Sequence, residues 1–374
     1  MTQSDRFLGL DVFRGMTICF MIIVNTPGNH VTTFSPLLHA HWHGFTPTDL
    51  VFPSFLFAVG NALSFVMLKW ESLSQSRVLF KIFKRTFLIF LLGYLLYWFP
   101  FFQPEKSGDW HFKAFEDTRV LGVLQRIALC YCMAALMIYY LKLRTSFIIS
   151  VIILIVYWPL MYFFGNEADP LSLTGNAALT FDKAVLGDRH LYHGEGIAFD
   201  PEGILSTFPA IANVIGGVMV GRFLQKKGKT YEVLTKLLLV GFSLFTVAYF
   251  WHLLFPINKK LWTSSFVVLT VGLDCILIAA IVYIIDFMRK TRWTYFFQVF
   301  GKNPLFIYLL SEVLAIFLFT FRTGSGKTYF QWVYENSFGH VGGKPGSLLF
   351  ALAFMLICWL VGWCLDKRKI YIRV

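Results

Sequence analysis

Three histidines and an aspartate cluster in the segment 37–62, LLHAHWHGFTPTDLVFPSFLFAVGNA. His39, His41 and His43 precede an apolar run, and Asp49 stands at the start of that run. Imidazole is the side chain whose ordinary pKa lets it act as a base or a nucleophile near neutral pH. The Asp49 carboxylate, ten residues after His39, could orient or charge-stabilise the ring. The segment therefore predicts acid–base or nucleophilic chemistry at a helix entrance.

The alternation of the three histidines has two other interpretations. In extended chain the rings would point the same way and could bind Zn²⁺ or Cu²⁺. Pro36, Gly44 and Pro47 make a regular strand doubtful, and no cysteine lies near, so we expect no metal. The remaining alternative is a loop of interfacial histidine and tryptophan side chains without chemistry.

The composition places these residues in a membrane protein. The chain has 374 residues, of which 57% are hydrophobic and 14% charged, whereas soluble domains have about 25% charged residues. The net charge of +12 comes from bases in short loops between apolar segments, which indicates membrane topology and excludes nucleic acid as a partner. We interpret the six cysteines, all within apolar segments, as packing residues: Cys19, Cys130, Cys132, Cys275, Cys358 and Cys364.

A membrane span needs about 20 largely apolar residues, and by that rule we predict an all-α, polytopic protein with ten transmembrane helices in a single domain, 1–374. The helices are predicted near 8–25, 49–69, 80–101, 120–141, 146–164, 204–223, 233–254, 264–286, 303–321 and 347–365. The first has no small-residue cleavage site, so we interpret it as a retained helix. With both termini in the cytoplasm, Lys and Arg are about twice as frequent inside as outside. All nine histidines then fall at the outer side.

Ionisable residues inside spans are costly and indicate function. They are Asp11, Arg14, Arg126, Asp274 and Glu312. Asp11 and Arg14 lie three apart on one helix face and can pair, either as a structural ion pair or as a ligand-binding group. Arg126, with Gln125 beside it, is predicted about 10 Å below the outer surface. A polar cavity through the bundle would satisfy Arg126 and the two deeper carboxyls; structural pairing is the alternative.

Two helix edges add polar motifs. On the outer side, FDPEGILSTFPA places Asp200 and Glu202 before the sixth predicted helix, where the helix dipole alone would favour acidic groups. On the inner side, the run Gly301-Lys302-Asn303-Pro304 opens the ninth. A helix N-terminus of this composition is a candidate phosphate site, although short basic loops are expected on that side in any case.

Several long blocks resemble the heparan-α-glucosaminide N-acetyltransferase family. They are RFLGLDVFRGMTICFMIIVN, LLHAHWHGFTPTDLVFPSFLFAVGNAL, RVLGVLQRIALCY, FDPEGILSTFPAIANVIGG and FPINKKLWTSSFV, in the family's order from Arg6 onward, and the end DKRKIYIRV is also similar. The resemblance implies transfer of an acetyl group from cytoplasmic acetyl-CoA to an amino sugar on the opposite side of the membrane. It implies that His39 is catalytic and that Asn25 and Asp49 flank it. His41 and His43 depart from the family's pattern.

Together with the buried charges and the two polar helix edges, the resemblance leads us to expect a set of ligand contacts. We expect the acetyl-CoA phosphates at Arg14, Lys302 and Asn303 and its pantetheine arm along Arg126 and Gln125. The expected acceptor contacts are Asp200, Glu202, Trp42 and Asn258. His39 would accept the acetyl group covalently or deprotonate the acceptor amine; the sequence leaves both routes open.

The expected partners are acetyl-CoA, an amino-sugar or glycan acceptor, the lipid bilayer and a second copy of the chain as a homodimer. A chain that starts at its first helix suits a bacterial inner membrane, with His39 on the periplasmic side. Two alternatives remain at this point: a glycan O-acetyltransferase, and a transporter of anionic or sugar solutes.

Overall fold

The structure, a computed structural model, describes residues 7–104, 110–166 and 168–372. The all-α prediction is confirmed, with one short antiparallel hairpin, β1 Phe102–Pro104 and β2 Trp110–Phe112, in the described part. The helices are α1 Leu8–Asn25, α2 Pro47–Trp70, α3 Gln75–Trp98, α4 Val123–Phe163, α5 Ala177–Leu186, α6 Ile204–Lys227, α7 Tyr231–His252, α8 Ser264–Val282, α9 Thr294–Lys302, α10 Pro304–Thr320, α11 Tyr329–Ser337 and α12 Gly343–Lys367. Of the bases used to predict topology, Arg6, Lys106 and Arg373 lie outside the described residues.

The prediction of ten spans with cytoplasmic termini is not confirmed. Within the described ranges, seven helices are long and apolar enough to cross a membrane, or eight if α9 and α10, bent by 83°, form one broken span. Two predicted spans merge in α4, whose 41 residues break only at Lys142, with φ 63° and ψ 162°. Helix α3, also predicted as a span, is not among the candidate spans because its first three turns carry four bases, Arg77, Lys81, Lys84 and Arg85.

Glycines let the helices that carry the site pack closely. A Cβ on Gly60 of α2 would lie 2.0 Å from the Val214 carbonyl oxygen of α6, and one on Gly217 of α6 would lie 2.0 Å from the Phe57 carbonyl oxygen of α2. The two backbones therefore touch, as small residues permit in membrane bundles. This contact fixes the height of α2, which begins at the histidine loop, against α6, which begins at the acidic loop.

A second close contact lies at the other end of the bundle. A Cβ on Gly15 of α1 would lie 1.8 Å from the Phe297 carbonyl oxygen of α9. The Arg14 guanidinium donates from Nε (3.1 Å) and Nη2 (2.7 Å) to the Gly301 carbonyl oxygen and contacts Asp11 at 2.8 Å. The predicted Asp11–Arg14 pair is therefore present, and it ties α1 to the corner between α9 and α10.

Loops rather than helices build the end that carries the histidines. The loop before α2 meets the α7–α8 loop where the Gly44 amide donates to the Ile257 carbonyl oxygen (2.8 Å). Beneath them lies an apolar cluster that includes Phe199, Phe255 and Leu261, with Trp42 packed against it. Three segments distant in sequence are thus held together by one small core.

Candidate active site

His39 and Asp49 form a carboxylate–imidazole dyad at the start of α2. Thr46 caps this helix, and Asp49 is its third residue, so a capping box turns the carboxylate back toward the loop. Asp49 Oδ1 lies 2.7 Å from His39 Nδ1, while Oδ2 accepts from the backbone amides of Thr46 (2.9 Å) and Ala40 (3.1 Å). An ionised carboxylate only accepts hydrogen bonds, so Nδ1 donates and Nε2 keeps its lone pair. The Asp49 carboxylate therefore contacts the imidazole as its place in the sequence suggested, and the catalytic role of the two residues stays a prediction.

Lys259, from the α7–α8 loop, completes the immediate surroundings of the imidazole. Its Nζ lies 3.1 Å from both His39 Nδ1 and Nε2. Since Nδ1 already donates to Asp49, Nε2 is the ring nitrogen that can exchange a proton with Lys259. Sequence reasoning missed this residue, although two adjacent lysines in a loop predicted on the outer side, where cations are fewer, were a usable signal.

Burial and charge set the protonation states of these groups. Burial lowers the pKa of His39, and the Lys259 cation adds to that effect, while the hydrogen bond to Asp49 opposes it. Burial also lowers the pKa of Lys259, against the opposing charges of Asp49 and Glu202. His39 therefore keeps its neutral form at neutral pH, which is the form that acts as base or nucleophile.

Asp200 and Glu202 lie in the loop before α6 and share one arginine. Arg119 donates from Nε and Nη2 to the two carboxylate oxygens of Asp200 (2.9 and 2.6 Å) and from Nη2 to Glu202 Oε2 (2.7 Å). Its guanidinium lies between the Tyr97 and Tyr192 rings, 4.8 and 4.7 Å from their centres. Asp200 and Glu202, predicted to contact the acceptor, are thus held by Arg119, and their contact with a substrate stays a prediction.

Glu202 also couples this cluster to the dyad. Although burial opposes it, the positive charges of Arg119, Arg126 and Lys259 lower the pKa of Glu202. The negative charge of the same carboxylate raises the pKa of His39, against the larger lowering by burial. An ionised carboxylate therefore lies close enough to both the imidazole and the lysine to interact with them.

Arg126 and Gln125 open α4 as buried groups with unsatisfied polar atoms. Arg126 donates from Nη2 to the Gly203 carbonyl oxygen (3.2 Å) and to Ser206 Oγ, and lies 4.7 Å from the centre of the Trp262 ring. Its Nε and Nη1, and both amide atoms of Gln125, have no protein partner among the described residues. Buried polar atoms are rarely left unpaired, so these positions fit water or a polar ligand.

Asn25 lies apart from the dyad in its contacts. Its Nδ2 donates to Glu312 Oε1 of α10 (3.2 Å), and no hydrogen bond joins it to His39 or Asp49 in the described parts of the chain. Asp274 accepts from Ser54 Oγ (2.5 Å) instead of pairing with Arg126. Arg126, Asp274 and Glu312 therefore have separate local partners instead of sharing the predicted polar cavity. A role for Asn25 at the site stays a prediction.

The other loop residues predicted to be functional mainly hold the loops in place. Trp42 Nε1 donates to the Leu171 carbonyl oxygen (2.9 Å). Asn258 Oδ1 accepts from the Leu261 amide (2.9 Å), and its Nδ2 lies 3.3 Å from His43 Nδ1. The His41 carbonyl oxygen accepts from Lys260 Nζ (3.1 Å). The three histidines thus have three different partners, and contacts of Trp42 and Asn258 with an acceptor stay predictions.

A cavity of about 770 Å³ occupies the opposite end of the bundle. Along α2 it extends from Lys69 to Phe55, and its polar lining is Asp11, Arg14, Asn61, Lys69, Arg85, Tyr131, Lys302 and Tyr371. Asn61 is 3% exposed, and neither of its amide atoms has a protein partner among the described residues. The volume is in the range of about 300–1,000 Å³ typical of small-molecule sites. Sequence reasoning missed Asn61, Lys69 and Arg85 at this site.

Lys302 and Asn303, predicted to contact phosphate, also have protein partners. Lys302 Nζ lies 2.8 and 2.9 Å from the two carboxylate oxygens of Asp366. Asn303 donates to the Ile370 carbonyl oxygen (3.0 Å) and accepts from the Ile372 amide (2.8 Å), which fastens the C-terminal segment beside the cavity. Lys302 lines the cavity but shares its charge with Asp366, so phosphate binding there stays a prediction.

The fold and these two sites define an integral membrane protein with an imidazole–carboxylate dyad at one end of a helical bundle and a large polar-lined cavity toward the other. No family model matches the chain. It is similar to heparan-α-glucosaminide N-acetyltransferase of Mus musculus, with 26% identity over 429 aligned positions covering 100% of this chain and 61% of the mouse protein. The Homo sapiens protein of that name is also 26% identical, over 99% of this chain and 60% of its own length.

The similarity extends over nearly the whole chain and agrees with the resemblance that its sequence blocks indicated. The chain spans about three fifths of the length of the curated relatives that it matches.

Proposed function

We propose that the protein transfers an acetyl group from acetyl-CoA, bound in the inner cavity, to the amine of an amino sugar at the outer end of the bundle. The observation that carries this proposal is the alignment of the cavity and the dyad along a single helix. The cavity follows α2 for the 14 residues between Phe55 and Lys69, about 21 Å at 1.5 Å per residue. Its upper end lies six residues, about 9 Å, from Asp49.

The dimensions suit an extended pantetheine arm. By standard bond lengths the arm spans on the order of 15–20 Å. A CoA with its phosphates near Lys69, Arg85 and Arg14 would therefore bring its thioester to the upper part of the cavity. The positive charges at the lower end favour phosphates, and the unsatisfied Asn61 amide offers a donor and an acceptor to the amides of the arm.

The buried polar groups above the cavity continue the proposed route. Leu124 and Ile127 line its upper part, and Gln125 and Arg126 belong to the same turn of α4. The free Nε and Nη1 of Arg126 can donate to a thioester oxygen, which would stabilise the oxyanion that develops when the carbonyl is attacked. Arg126 stacks on Trp262, which stands three residues after Lys259, and the proposed route continues from there toward His39.

His39 performs the proposed chemistry through Nε2. In one route Nε2 removes a proton from the acceptor amine as the nitrogen attacks the thioester; in the other Nε2 attacks the thioester and carries the acetyl group to the amine. Asp49 holds the ring and stabilises the cation that both routes create. Labelled acetyl-CoA without acceptor separates them, because only the second route leaves label on His39.

The direct test measures acetyl transfer by purified protein against a panel of amino sugars. We expect N-acetylated product that resists alkali, and a fall to background in His39→Ala with acetyl-CoA binding retained. His41→Ala is the matched control, since the His41 imidazole makes no hydrogen bond among the described residues. Absence of transfer to every amino sugar would overturn the proposal. An alkali-labile product would identify a glycan O-acetyltransferase.

A further inference from the structure

We propose that Lys259 is a second catalytic proton-transfer residue, which exchanges a proton with Nε2 of His39 while the acceptor amine is acetylated. This inference rests on the proposed function and adds a residue that neither the sequence analysis nor the resemblance assigned. It is carried by the position of Nζ, 3.1 Å from the ring atom that does the chemistry.

The neighbouring lysine shows how differently a structural cation is held. Lys260 Nζ lies 2.5 Å from Glu195 Oε2 and donates to the His41 carbonyl oxygen (3.1 Å). Lys259 Nζ has no carboxylate within ion-pair distance in the described ranges, and its hydrogen bonds there are those to His39. One lysine of the pair is therefore satisfied by the protein, whereas the other is directed at the imidazole.

Backbone contacts hold Lys259 in this direction. The preceding Asn258 is fully buried; its amide donates to Thr263 Oγ1 (3.0 Å), and its side chain accepts from the Leu261 amide (2.9 Å). The Trp262 amide in turn donates to the Lys259 carbonyl oxygen (3.1 Å). The turn thus presents Nζ to the dyad from a rigid loop.

The charges around Lys259 come from four directions. Asp49 on α2 and Glu202 before α6 favour its cationic form, whereas Lys260 in the same loop and Arg126 on α4 oppose it. Burial outweighs the favourable charges and lowers the pKa of Lys259. The neutral amine is therefore populated at a pH closer to neutrality than in an exposed lysine. Proton exchange with an imidazole requires this.

Proton balance of the proposed reaction requires such a second group. The acceptor enters as an ammonium ion and leaves as an amide, so its nitrogen loses two protons. The new N–C bond forms, the C–S bond breaks, and the leaving CoA thiolate takes up one of the protons. Through His39 Nε2, the neutral Lys259 amine takes the other from the ammonium ion and later releases it to water.

The test compares Lys259→Ala, Lys259→Arg and the control Lys260→Ala in purified full-length protein. We expect both Lys259 variants to lose about 100-fold or more in kcat, the usual scale for a proton-transfer group, because an arginine keeps the charge but does not deprotonate. Acetyl-CoA binding, measured by titration, is expected within threefold of wild type for all three. Lys260→Ala is expected to keep kcat within threefold.

Two further readouts distinguish chemistry from structure. Added methylamine is expected to restore glucosamine acetylation to Lys259→Ala but not to Lys259→Arg, and the pH dependence of kcat/KM is expected to lose one ionisation in both. Wild-type-like kcat in Lys259→Arg, or an unchanged pH profile with no rescue of Lys259→Ala, would overturn the role of Lys259. If the wild type acetylates no amino sugar, the proposed function fails, and this inference fails with it.

Discussion

The carboxylate of Asp49 lies 2.7 Å from His39 Nδ1 and at the same time closes the capping box of α2. A single side chain therefore orients the imidazole and anchors the helix whose C-terminal half lines the cavity. The proposed donor and acceptor ends of the reaction are joined through this residue.

Asp49→Asn is expected to lower kcat by about 10²–10⁴-fold, because an amide neither fixes the Nδ1–H tautomer nor stabilises an imidazolium. Steady-state kinetics with acetyl-CoA and an amino sugar measure this. Thr46→Ala is the control: it removes the Thr46 hydroxyl, one of three donors to Asp49 Oδ2 (3.1 Å), costs about 0.5–2 kcal/mol of stability and leaves the carboxylate in contact with His39 Nδ1. A kcat in Asp49→Asn as high as that in Thr46→Ala would show that the carboxylate serves only the helix.

Activity is expected to fall as the pH is lowered through the pKa of His39, since the neutral imidazole is the reactive form. Burial and the Lys259 cation lower that pKa, so the His39 ionisation lies below the ordinary histidine value of about 6.5, and the proposed need for a neutral Lys259 adds a second ionisation to the acidic side of kcat/KM. The charge of Glu202 raises the pKa of both groups, so Glu202→Gln is expected to move the acidic side of the profile to lower pH. A shift to higher pH would contradict the assignment of these ionisations to His39 and Lys259.

Asn61→Leu is expected to weaken acetyl-CoA binding about tenfold, or about 1.4 kcal/mol, because the cavity loses an amide that has no protein partner of its own among the described residues. Equilibrium titration with acetyl-CoA measures the effect. The exposed asparagine of α11, in Asn336→Leu, is the control and should bind as wild type. Equal affinity in the two variants would argue that the donor lies elsewhere.

Arg119→Ala is expected to destabilise the protein by about 3–5 kcal/mol, because it leaves Asp200 and Glu202 close together without their cation. Thermal unfolding in detergent reports the change. The exposed pair of Lys327 with Glu335 gives the comparison, since Lys327→Ala should cost about 0–1 kcal/mol. Similar unfolding temperatures for both variants would mean that the Arg119 cluster contributes no more than a surface pair.

Gly60→Ala is expected to lower the unfolding temperature by several degrees, since the new Cβ would lie 2.0 Å from a backbone oxygen of α6 that cannot move alone. Gly324→Ala, where an added Cβ meets no atom within 4 Å, should change little. Scanning fluorimetry of the two variants gives the comparison. An unchanged unfolding temperature in Gly60→Ala would contradict the close α2–α6 packing.

Local patterns predicted local structure well. The apolar runs indicated the helices. The ten-residue spacing of His39 and Asp49 suggested that the carboxylate could reach the imidazole, and the two side chains are in contact. The number of spans was harder to predict, because α4 stays helical through most of a predicted loop and α3 carries bases within its length. Hydropathy alone does not report whether a backbone breaks at a polar residue such as Lys142.

Contacts between distant segments could not be read from spacing. Lys259 meets His39 across 220 positions, and Asn25 meets Glu312 across 287. These pairs depend on how the loops fold over the end of the bundle, which has no period in the sequence. The cavity is likewise lined by Asn61 of α2, Arg85 of α3 and Arg14 of α1, and no pattern within any one of these helices indicates that the three residues share a site.

If acetyl donor and acceptor bind at opposite ends of one bundle, the protein will move acetyl groups across a sealed membrane. Acetyl-CoA is enclosed in proteoliposomes that contain the protein, glucosamine is supplied outside, and N-acetylated sugar is measured in the outer solution. We expect product outside with wild-type protein and with His41→Ala, and none with His39→Ala. Product that forms only when both substrates are on the same side would contradict it.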